Sequence, residues 1–211
     1  MKSYLVYTPA LIRRLYGRRI WRGPEQNDSI YLTFDDGPIP EVTPWVLDRL
    51  KEAKAKATFF VIGDNVHKHP EVLNRVIDEG HALGNHTFHH LKQPTVSAKN
   101  YLEDVDRCKA QLLQHSINTL LFRPPYGKLS ARMAKAIRSK GLKIVMWDVL
   151  SADFDTSIDG AQCTKNVLDN ISPGSIVVFH DSLKAQERLK RSLPQVLKFI
   201  ENKGWKCRAL A

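Results

Sequence analysis

Several ionisable side chains stand directly after short apolar segments of this sequence. Asp35 and Asp36 follow SIYLTF, and His180 follows SIVVF. His86 and His90 follow HALGN with the spacing HxxxH. On a helical turn this spacing would put both imidazoles on one face, as two ligands of one metal ion require. A carboxylate as third ligand would leave a position open for water, which is the arrangement of a catalytic metal site.

Further ionisable residues occupy equivalent positions. Arg123 follows TLLF, and Asp148 and Asp153 close or follow KIVMWDV. In parallel α/β folds the sites form where the carboxyl ends of the strands meet, so we expect these side chains at one rim. Each also has an ordinary interpretation, because Asp-Gly-Pro is common turn chemistry and a histidine after an apolar run is often a buried one. Their joint placement favours catalysis, with His89 as a bystander and His81 as a core or edge residue with its own hydrogen-bond partners.

The apolar runs alternate with amphipathic stretches, which predicts a parallel α/β fold. The predicted strands cover residues 29–34, 57–63, 81–85, 119–122, 143–149 and 175–179, with a weak one near the carboxyl terminus. The predicted helices cover residues 44–54, 70–79, 96–113, 130–140, 161–170 and 186–202, the first behind Thr43 as an N-cap. A barrel is the favoured architecture, and an open doubly wound sheet is the alternative. The sequence has no GxGxxG or GxxxxGK[ST] turn after a strand, which disfavours nucleotide binding.

Length and composition fit one globular domain. The chain has 211 residues, of which 43% are hydrophobic, and its formal net charge is +10. This charge either favours acidic partners or only aids solubility. Three widely spaced cysteines without a CxxC motif favour a reducing compartment. Because the sequence shows neither a signal-peptide pattern nor an apolar run of about 20 residues, we expect a cytoplasmic protein.

Residues 1–28 are interpreted as a basic arm that precedes a domain at residues 29–211. The arm contains five arginines among apolar residues: Arg13, Arg14, Arg18, Arg19 and Arg22. It could lie as a helix on an anionic membrane surface, which would make the protein membrane-peripheral, or it could pack on one end of the barrel. We favour packing on the barrel. Nucleic acid is not expected as a partner, because no recognised binding module accompanies the charge.

Five ordered blocks between residues 30 and 180 resemble the polysaccharide deacetylase family, the NodB-homology carbohydrate esterases. They are TFDDGP at 33–38, HTFHH at 86–90, RPPY at 123–126, a recognisable segment at 147–154 and VFH at 178–180. The resemblance implies a distorted (β/α)7 barrel of mostly parallel strands. It also implies a metal-dependent hydrolase whose partner is an acetylated carbohydrate, in particular one with N-acetylated amino sugars.

The resemblance further implies a set of metal ligands and a pair of proton-transfer groups. Asp36, His86 and His90 would bind one divalent ion, which is usually zinc in this family, with cobalt or nickel as alternatives. Two further pairs would carry protons: Asp35 as general base oriented by Arg123, and His180 as general acid oriented by Asp153.

Three residues are expected to contact the substrate. The Tyr126 N–H would stabilise the oxyanion, and Phe154 and Val178 would form an apolar slot for the acetyl methyl group. Two departures from the family pattern alter this slot, since Phe154 stands where the family usually has Trp and Val178 where it usually has Leu. Leu150 also replaces an Asp found in many members. The size of the acyl group is therefore the feature of the substrate most affected.

Two other functions are compatible with the sequence. One is a cytosolic amidohydrolase that acts on a small amide or cyclic imide, because polymeric glycans mostly lie outside the cell. The other is a glycan-binding protein that has kept the fold without turnover. The complete set of site residues argues against the second.

Overall fold

The computed structural model describes residues 4–24 and 28–211, so residues 1–3 and 25–27 of the predicted arm lie outside the described residues. The strands are β1 (Ser29–Asp35), β2 (Thr58–Val61), β3 (Ala82–Asn85), β4 (Leu121–Phe122), β5 (Lys143–Ile144), β6 (Val149–Leu150), β7 (Ile176–His180) and β8 (Lys206–Cys207). The helices are α1 (Ala10–Leu15), α2 (Thr43–Glu52), α3 (Gly63–Lys68), α4 (Pro70–Asp78), α5 (Ala98–Gln114), α6 (Ala131–Ser139), α7 (Gly160–Leu168) and α8 (Gln186–Asn202).

The strands form one sheet in the order β5-β4-β3-β2-β1-β7-β6, and β8 pairs with β1. Every pairing between these strands is parallel. Helices between successive strands supply the crossovers that parallel pairing requires. The predicted distorted barrel of mostly parallel strands is therefore confirmed, whereas the open doubly wound alternative is not.

Alternation along the strands separates the barrel interior from the layer under the helices. In β1, Ile30, Leu32 and Phe34 are buried in the large cluster that includes the apolar faces of α2, α4 and α8. Tyr31, the intervening residue, belongs instead to an interior cluster with Phe60. Because side chains of a strand point alternately to the two faces, Thr33 and Asp35 share the interior face with Tyr31. The site residues thus lie on the inside of the curved sheet.

The amino-terminal segment, residues 4–24, lies along both edges of this sheet. At the β6 edge, the Thr8 N–H donates to Asp148 O at 2.8 Å and the Leu150 N–H donates to Val6 O at 2.8 Å. After β5, the Ile20 N–H donates to Ile144 O at 2.8 Å, and the Met146 N–H donates back to Ile20 O at 2.7 Å. These bonds span the gap between β5 and β6.

Three local predictions were wrong. The strand predicted at 143–149 is broken between β5 and β6, because the carbonyl oxygens of Val145 and Met146 accept hydrogen bonds from the buried Arg123 guanidinium. Helix α3 was missed, since its six residues bury only Gly63 and Val66 and show no apolar periodicity. Thr43 does not cap α2; its hydroxyl donates to Asp181 at 2.6 Å. Within the described residues, no helix combines the length and apolarity needed to cross a membrane.

Candidate active site

Strand register brings Asp35 and His180 to the same edge of the barrel. They are direct register partners at the carboxyl ends of β1 and β7. Side chains at paired positions of neighbouring parallel strands point to the same face of the sheet. Together with Val178, two residues earlier in β7, they line an interior cavity of about 520 Å³.

Asp35 is held by a buried arginine. The Arg123 Nη1 donates to Asp35 Oδ1 at 2.6 Å and to the Thr33 hydroxyl at 2.7 Å, while Nη2 donates to Met146 O at 3.0 Å. Arg123 is fully buried and Asp35 is 3% exposed. A buried charge needs a partner and satisfied hydrogen bonds, and this arrangement supplies both. The carboxylate therefore has one fixed orientation.

His180 is held in the same way by Asp153. Two short hydrogen bonds join them: His180 Nδ1 lies 2.7 Å from Asp153 Oδ1, and the His180 backbone N–H donates to Asp153 Oδ2 at 2.8 Å. Burial by itself would lower the pKa of His180, but Asp153 outweighs it and, with Asp36 and Asp35, raises the pKa to about 9. The imidazole is therefore cationic at neutral pH, and its Nε2–H is the proton available to the cavity.

Asp36, His86 and His90 bring three ligand atoms together. One atom from each residue lies within 4.8 Å of the others. Asp36 Oδ1 is 3.2 Å from His90 Nε2 and 3.7 Å from His86 Nε2. This oxygen is buried and has no hydrogen-bond partner. A buried carboxylate oxygen with no hydrogen-bond partner, facing two imidazole nitrogens, is a donor set that a divalent metal ion would satisfy, so these residues fit such an ion.

The tautomer of His86 suits the same purpose. Its Nδ1–H donates to Arg123 O at 2.8 Å, and since a carbonyl can only accept, the lone pair is on Nε2, the atom that faces Asp36. Burial lowers the pKa of His86 to about 4, so the ring is neutral at physiological pH. A neutral imidazole whose second nitrogen is fixed by a backbone carbonyl is a typical metal ligand.

The HxxxH pair is not on a helical turn, contrary to the prediction. Residues 86–90 form a loop in which Thr87 and His90 have φ values of 66° and 56°. The two rings still meet, with centroids 5.0 Å apart. His89 points elsewhere, as expected, because its Nδ1 lies 2.5 Å from Asp104. Two left-handed residues, and not helical periodicity, give this loop its shape.

Asp181 fixes the loop that carries Asp36. Its Oδ1 accepts from the Gly37 N–H at 3.1 Å, and its Oδ2 accepts from the Thr43 hydroxyl at 2.6 Å. A Cβ on residue 37 would lie 2.0 Å from Asp181 Oδ2, so only glycine permits this approach. Asp36 itself has a φ of 85°, which is unusual for a residue with a side chain.

The three expected substrate contacts also border the cavity. Tyr126 lies at its mouth with φ 59°, its ring centroid 4.7 Å from that of His90. Among the described residues, the Tyr126 N–H donates to no acceptor. Phe154 and Val178 form an apolar wall with Leu150, and the Phe154 ring contacts His180 edge-on at 5.2 Å between centroids.

Asp148 was wrongly assigned to this rim. It precedes β6 and lies at the opposite end of the barrel, where its carboxylate accepts from the Ile176 N–H at 2.8 Å and pairs with Arg22. The other predicted site residues are all gathered at the carboxyl ends of the strands. Burial raises the pKa of Asp148 above its ordinary value, although Arg22 opposes this.

Sequence reasoning missed two groups of cavity residues. Tyr4 of the amino-terminal segment lines the cavity, and so does Trp147. Three lysines, Lys92, Lys128 and Lys184, stand around it with exposed side chains. Within residues 4–24 and 28–211, none of these ammonium groups pairs with a carboxylate. Single surface lysines in loops carry no local signal, so only their positions in space mark them.

The fold and this site together define a hydrolase of parallel-barrel type, and comparison with known proteins agrees. The family model described as polysaccharide deacetylase matches residues 22–145. The chain belongs to this family, and the resemblance drawn from its sequence blocks is confirmed, as is the enzyme class of hydrolases that deacetylate carbohydrates.

Similar proteins come from bacteria. A peptidoglycan-N-acetylglucosamine deacetylase of Bacillus cereus is 34% identical over 88% of this chain and 88% of its own length. A chitooligosaccharide deacetylase of Azorhizobium caulinodans is 36% identical over 77% of this chain and 78% of its own. The solved structure of the Bc1960 peptidoglycan N-acetylglucosamine deacetylase, in complex with 4-naphthalen-1-yl-N-oxidanyl-benzamide, matches this chain with a TM-score of 0.87 and 30% sequence identity. The match covers 97% of this chain and 95% of that chain.

Proposed function

We propose that this protein is a metal-dependent hydrolase that removes acetyl groups from N-acetylated amino sugars in a glycan. The observation that carries the proposal is that Asp36, His86 and His90 come together on the same cavity as two proton-transfer candidates. Asp35, a carboxylate, is the candidate general base, and His180, a cation, is the candidate general acid. A cavity that holds a base, an acid and a metal position can support attack of water on an amide and protonation of the leaving amine.

Asp36, His86 and His90 would hold one divalent ion. A metal ion bound there would polarise the acetyl carbonyl and lower the pKa of a water molecule toward about 7. Imidazole and carboxylate ligands suit zinc, with cobalt and nickel as alternatives. The unpartnered Asp36 Oδ1 supports this assignment independently of the family.

The remaining residues each hold or move a proton at a stated atom. Asp35, fixed by Arg123, would accept the proton of the attacking water at its free oxygen. The His180 Nε2–H would be donated to the amine nitrogen as the C–N bond breaks, and Asp153 keeps that ring charged and oriented. The free Tyr126 N–H would donate to the developing oxyanion, a contribution of about 3 kcal/mol in comparable sites.

The substrate is inferred from the cavity. Phe154 and Val178 offer an apolar surface beside His180, which suits an acetyl methyl group. The similar proteins are named for N-acetylglucosamine in peptidoglycan and for chitooligosaccharides. The unpaired Lys92, Lys128 and Lys184 favour a glycan that carries carboxylates over a neutral one, since opposite charges at the mouth steer and retain an anionic substrate. Cytoplasmic location stays a prediction.

A small amide or imide as substrate is the alternative within the same chemistry. A cavity with 58% of the Tyr126 surface exposed at its mouth suits a substrate that extends beyond the reacting group. Acetate release from chitooligosaccharides compared with hydrolysis of small amides decides between them. An inactive glycan-binding protein would bind metal and release acetate from no substrate in that panel.

Two substitutions test the roles. Asp35→Asn keeps the hydrogen bond to Arg123 but cannot take a proton, so we expect native metal content and a loss of about 10² to 10⁴ in kcat/KM. His86→Ala removes a ligand, so we expect loss of both metal and activity. Metal content is measured by elemental analysis and turnover by released acetate. Near-native turnover in both variants would refute the proposal.

A further inference from the structure

The amino-terminal segment is joined to the strand that forms one wall of the cavity. Val6 and Thr8 are hydrogen bonded to Leu150 and Asp148, which places the segment antiparallel to β6 at Tyr7 and Val149. Leu150 of β6 lines the cavity. The segment therefore acts as an added edge strand beside the site.

Tyr4 extends this added strand over the cavity. It lines the cavity together with Leu150, Phe154 and Val178, and it packs on the same apolar cluster. Its ring meets Phe154 edge-on with centroids 5.4 Å apart, and its hydroxyl donates to Asp155 Oδ2 at 2.5 Å. Tyr4 is thus fixed at both its ring and its hydroxyl, and it lies outside the range matched by the family model, residues 22–145.

The contacts continue from Tyr4 to the proposed general acid. Tyr4 packs on Phe154, and Phe154 packs edge-on against His180 with centroids 5.2 Å apart. Asp153, which accepts from His180, directly precedes Phe154 and Asp155 in the chain. A change at Tyr4 can reach the acid through ring packing and through the short segment 153–155.

We infer that Tyr4 is a specificity-determining and positioning residue: it closes the acyl pocket beside Phe154, limits the acyl group to acetyl, and holds Phe154 against His180. This inference rests on the proposed function, and it treats residues 4–24 as part of the catalytic domain. Removing the Tyr4 ring should open space next to the acyl methyl group. One added methylene in a fitted apolar pocket changes kcat/KM by about tenfold or more.

The test compares Tyr4→Ala with Tyr7→Ala, a matched control in the same segment whose ring contacts Arg13 instead of the cavity. The substrates are chitooligosaccharides bearing N-acetyl or N-propionyl groups. In Tyr4→Ala the N-propionyl to N-acetyl ratio of kcat/KM should rise by about tenfold. In Tyr7→Ala it should equal that of the wild type. Tyr4→Phe, which keeps the ring and loses the bond to Asp155, should also keep the wild-type ratio.

A second readout does not depend on turnover or metal. The His180 ring protons, assigned with a His180→Gln variant, are followed by NMR in the metal-free protein, where the Phe154 ring current shifts them. Tyr4→Ala should change these shifts and Tyr7→Ala should not. If Tyr4→Ala unfolds, Tyr4→Leu keeps apolar contact and should raise the ratio by a smaller factor.

An unchanged acyl ratio in a folded Tyr4→Ala protein would overturn the inference, and so would an equal change in Tyr7→Ala or in Tyr4→Phe. If the wild type hydrolyses neither amide, the proposed function fails. The NMR comparison then still decides whether Tyr4 positions Phe154 and His180.

Discussion

Asp35 and His180 are ionisable groups of opposite charge, and each is paired with one buried partner. Arg123 orients the Asp35 carboxylate at 2.6 Å, and Asp153 orients the His180 imidazole at 2.7 Å. A base must be ionised and an acid protonated at the same pH, so the raised pKa of His180 beside Asp153 suits the acid role. At this scale the site depends on charge pairs inside a low-dielectric interior.

Asp153→Asn should move the alkaline limit of activity. Asp153 raises the pKa of His180 to about 9, so in the wild type kcat/KM should fall only as the pH rises through that value. Without the carboxylate, burial dominates and the pKa falls to the ordinary value of about 6.5 or below. We expect the alkaline limb to shift to lower pH and activity at pH 8 to fall by about 10².

The measurement is kcat/KM from pH 6 to 10, with Asp169→Asn as the control because Asp169 is exposed, follows α7 as its C-cap and does not line the cavity. If the alkaline limb stays in place in Asp153→Asn, His180 is not the acid.

At the scale of elements, short strands and loops with left-handed residues shape the site. Among the described residues, eight non-glycine residues have positive φ, and five of them lie in loops that follow site strands: Asp36, Thr87, His90, Tyr126 and Ala152. Such conformations cost free energy and persist where the surroundings enforce them. The helices outside the sheet, in contrast, follow local rules of capping and periodicity.

Helix α7 allows a matched test of those local rules. The Asp159 side chain accepts from the Gln162 N–H at 2.8 Å and caps the helix, whereas Asp169 stands at its carboxyl end. Asp159→Ala should lower the free energy of unfolding by about 1 kcal/mol. Asp169→Ala should be neutral or slightly stabilising, because a carboxylate is unfavourable at that end of the helix dipole. Urea unfolding measures both, and equal destabilisation would contradict the capping role.

At the scale of the molecule, the amino-terminal segment ties the two sheet edges together, and an ion pair anchors it. Arg22 pairs with Asp148, which is fully buried. Arg22→Met leaves that carboxylate without its main partner, and the loss should be about 3 kcal/mol, since Arg13 lies 4.0 Å away and compensates in part.

The same substitution should be pH-dependent. Removing Arg22 raises the pKa of Asp148 further, so protonation relieves the unpaired carboxylate more at low pH, and the destabilisation should be smaller at pH 5 than at pH 8. Urea unfolding at both pH values measures it. Arg18→Met, an exposed arginine of the same segment, is the control. A loss in Arg22→Met no greater than in Arg18→Met would contradict the anchoring role.

Three exposed lysines give the mouth of the cavity a positive charge that should favour an anionic substrate. The combined variant Lys92→Gln, Lys128→Gln and Lys184→Gln should raise KM for peptidoglycan by about tenfold and much less for neutral chitooligosaccharide, because three exposed charges are each worth about 0.5 kcal/mol. Lys198→Gln on α8 is the control. Added salt should reproduce the effect in the wild type. An equal rise in KM for both substrates would show that the lysines do not distinguish an anionic substrate from a neutral one.

The sequence by itself determined which residues stand at the carboxyl ends of the strands, and hence Asp35, His86, Arg123 and His180 as neighbours. This was possible because apolar runs and amphipathic stretches are local patterns, and parallel pairing brings all strand ends to one rim. The alternation of strands and helices was predictable for the same reason.

Only the tertiary structure decided the rest. Arg123 donates hydrogen bonds to carbonyl oxygens of the predicted strand at 143–149 and so interrupts it. Asp148 lies at the opposite end of the barrel, paired with Arg22. Tyr4 lines the cavity although it is far along the chain from the other lining residues. These contacts join residues that share no local pattern. They form because a buried charge and the unpaired backbone groups of a sheet edge need hydrogen-bond partners. Which residue supplies the partner depends on the tertiary structure of the closed barrel.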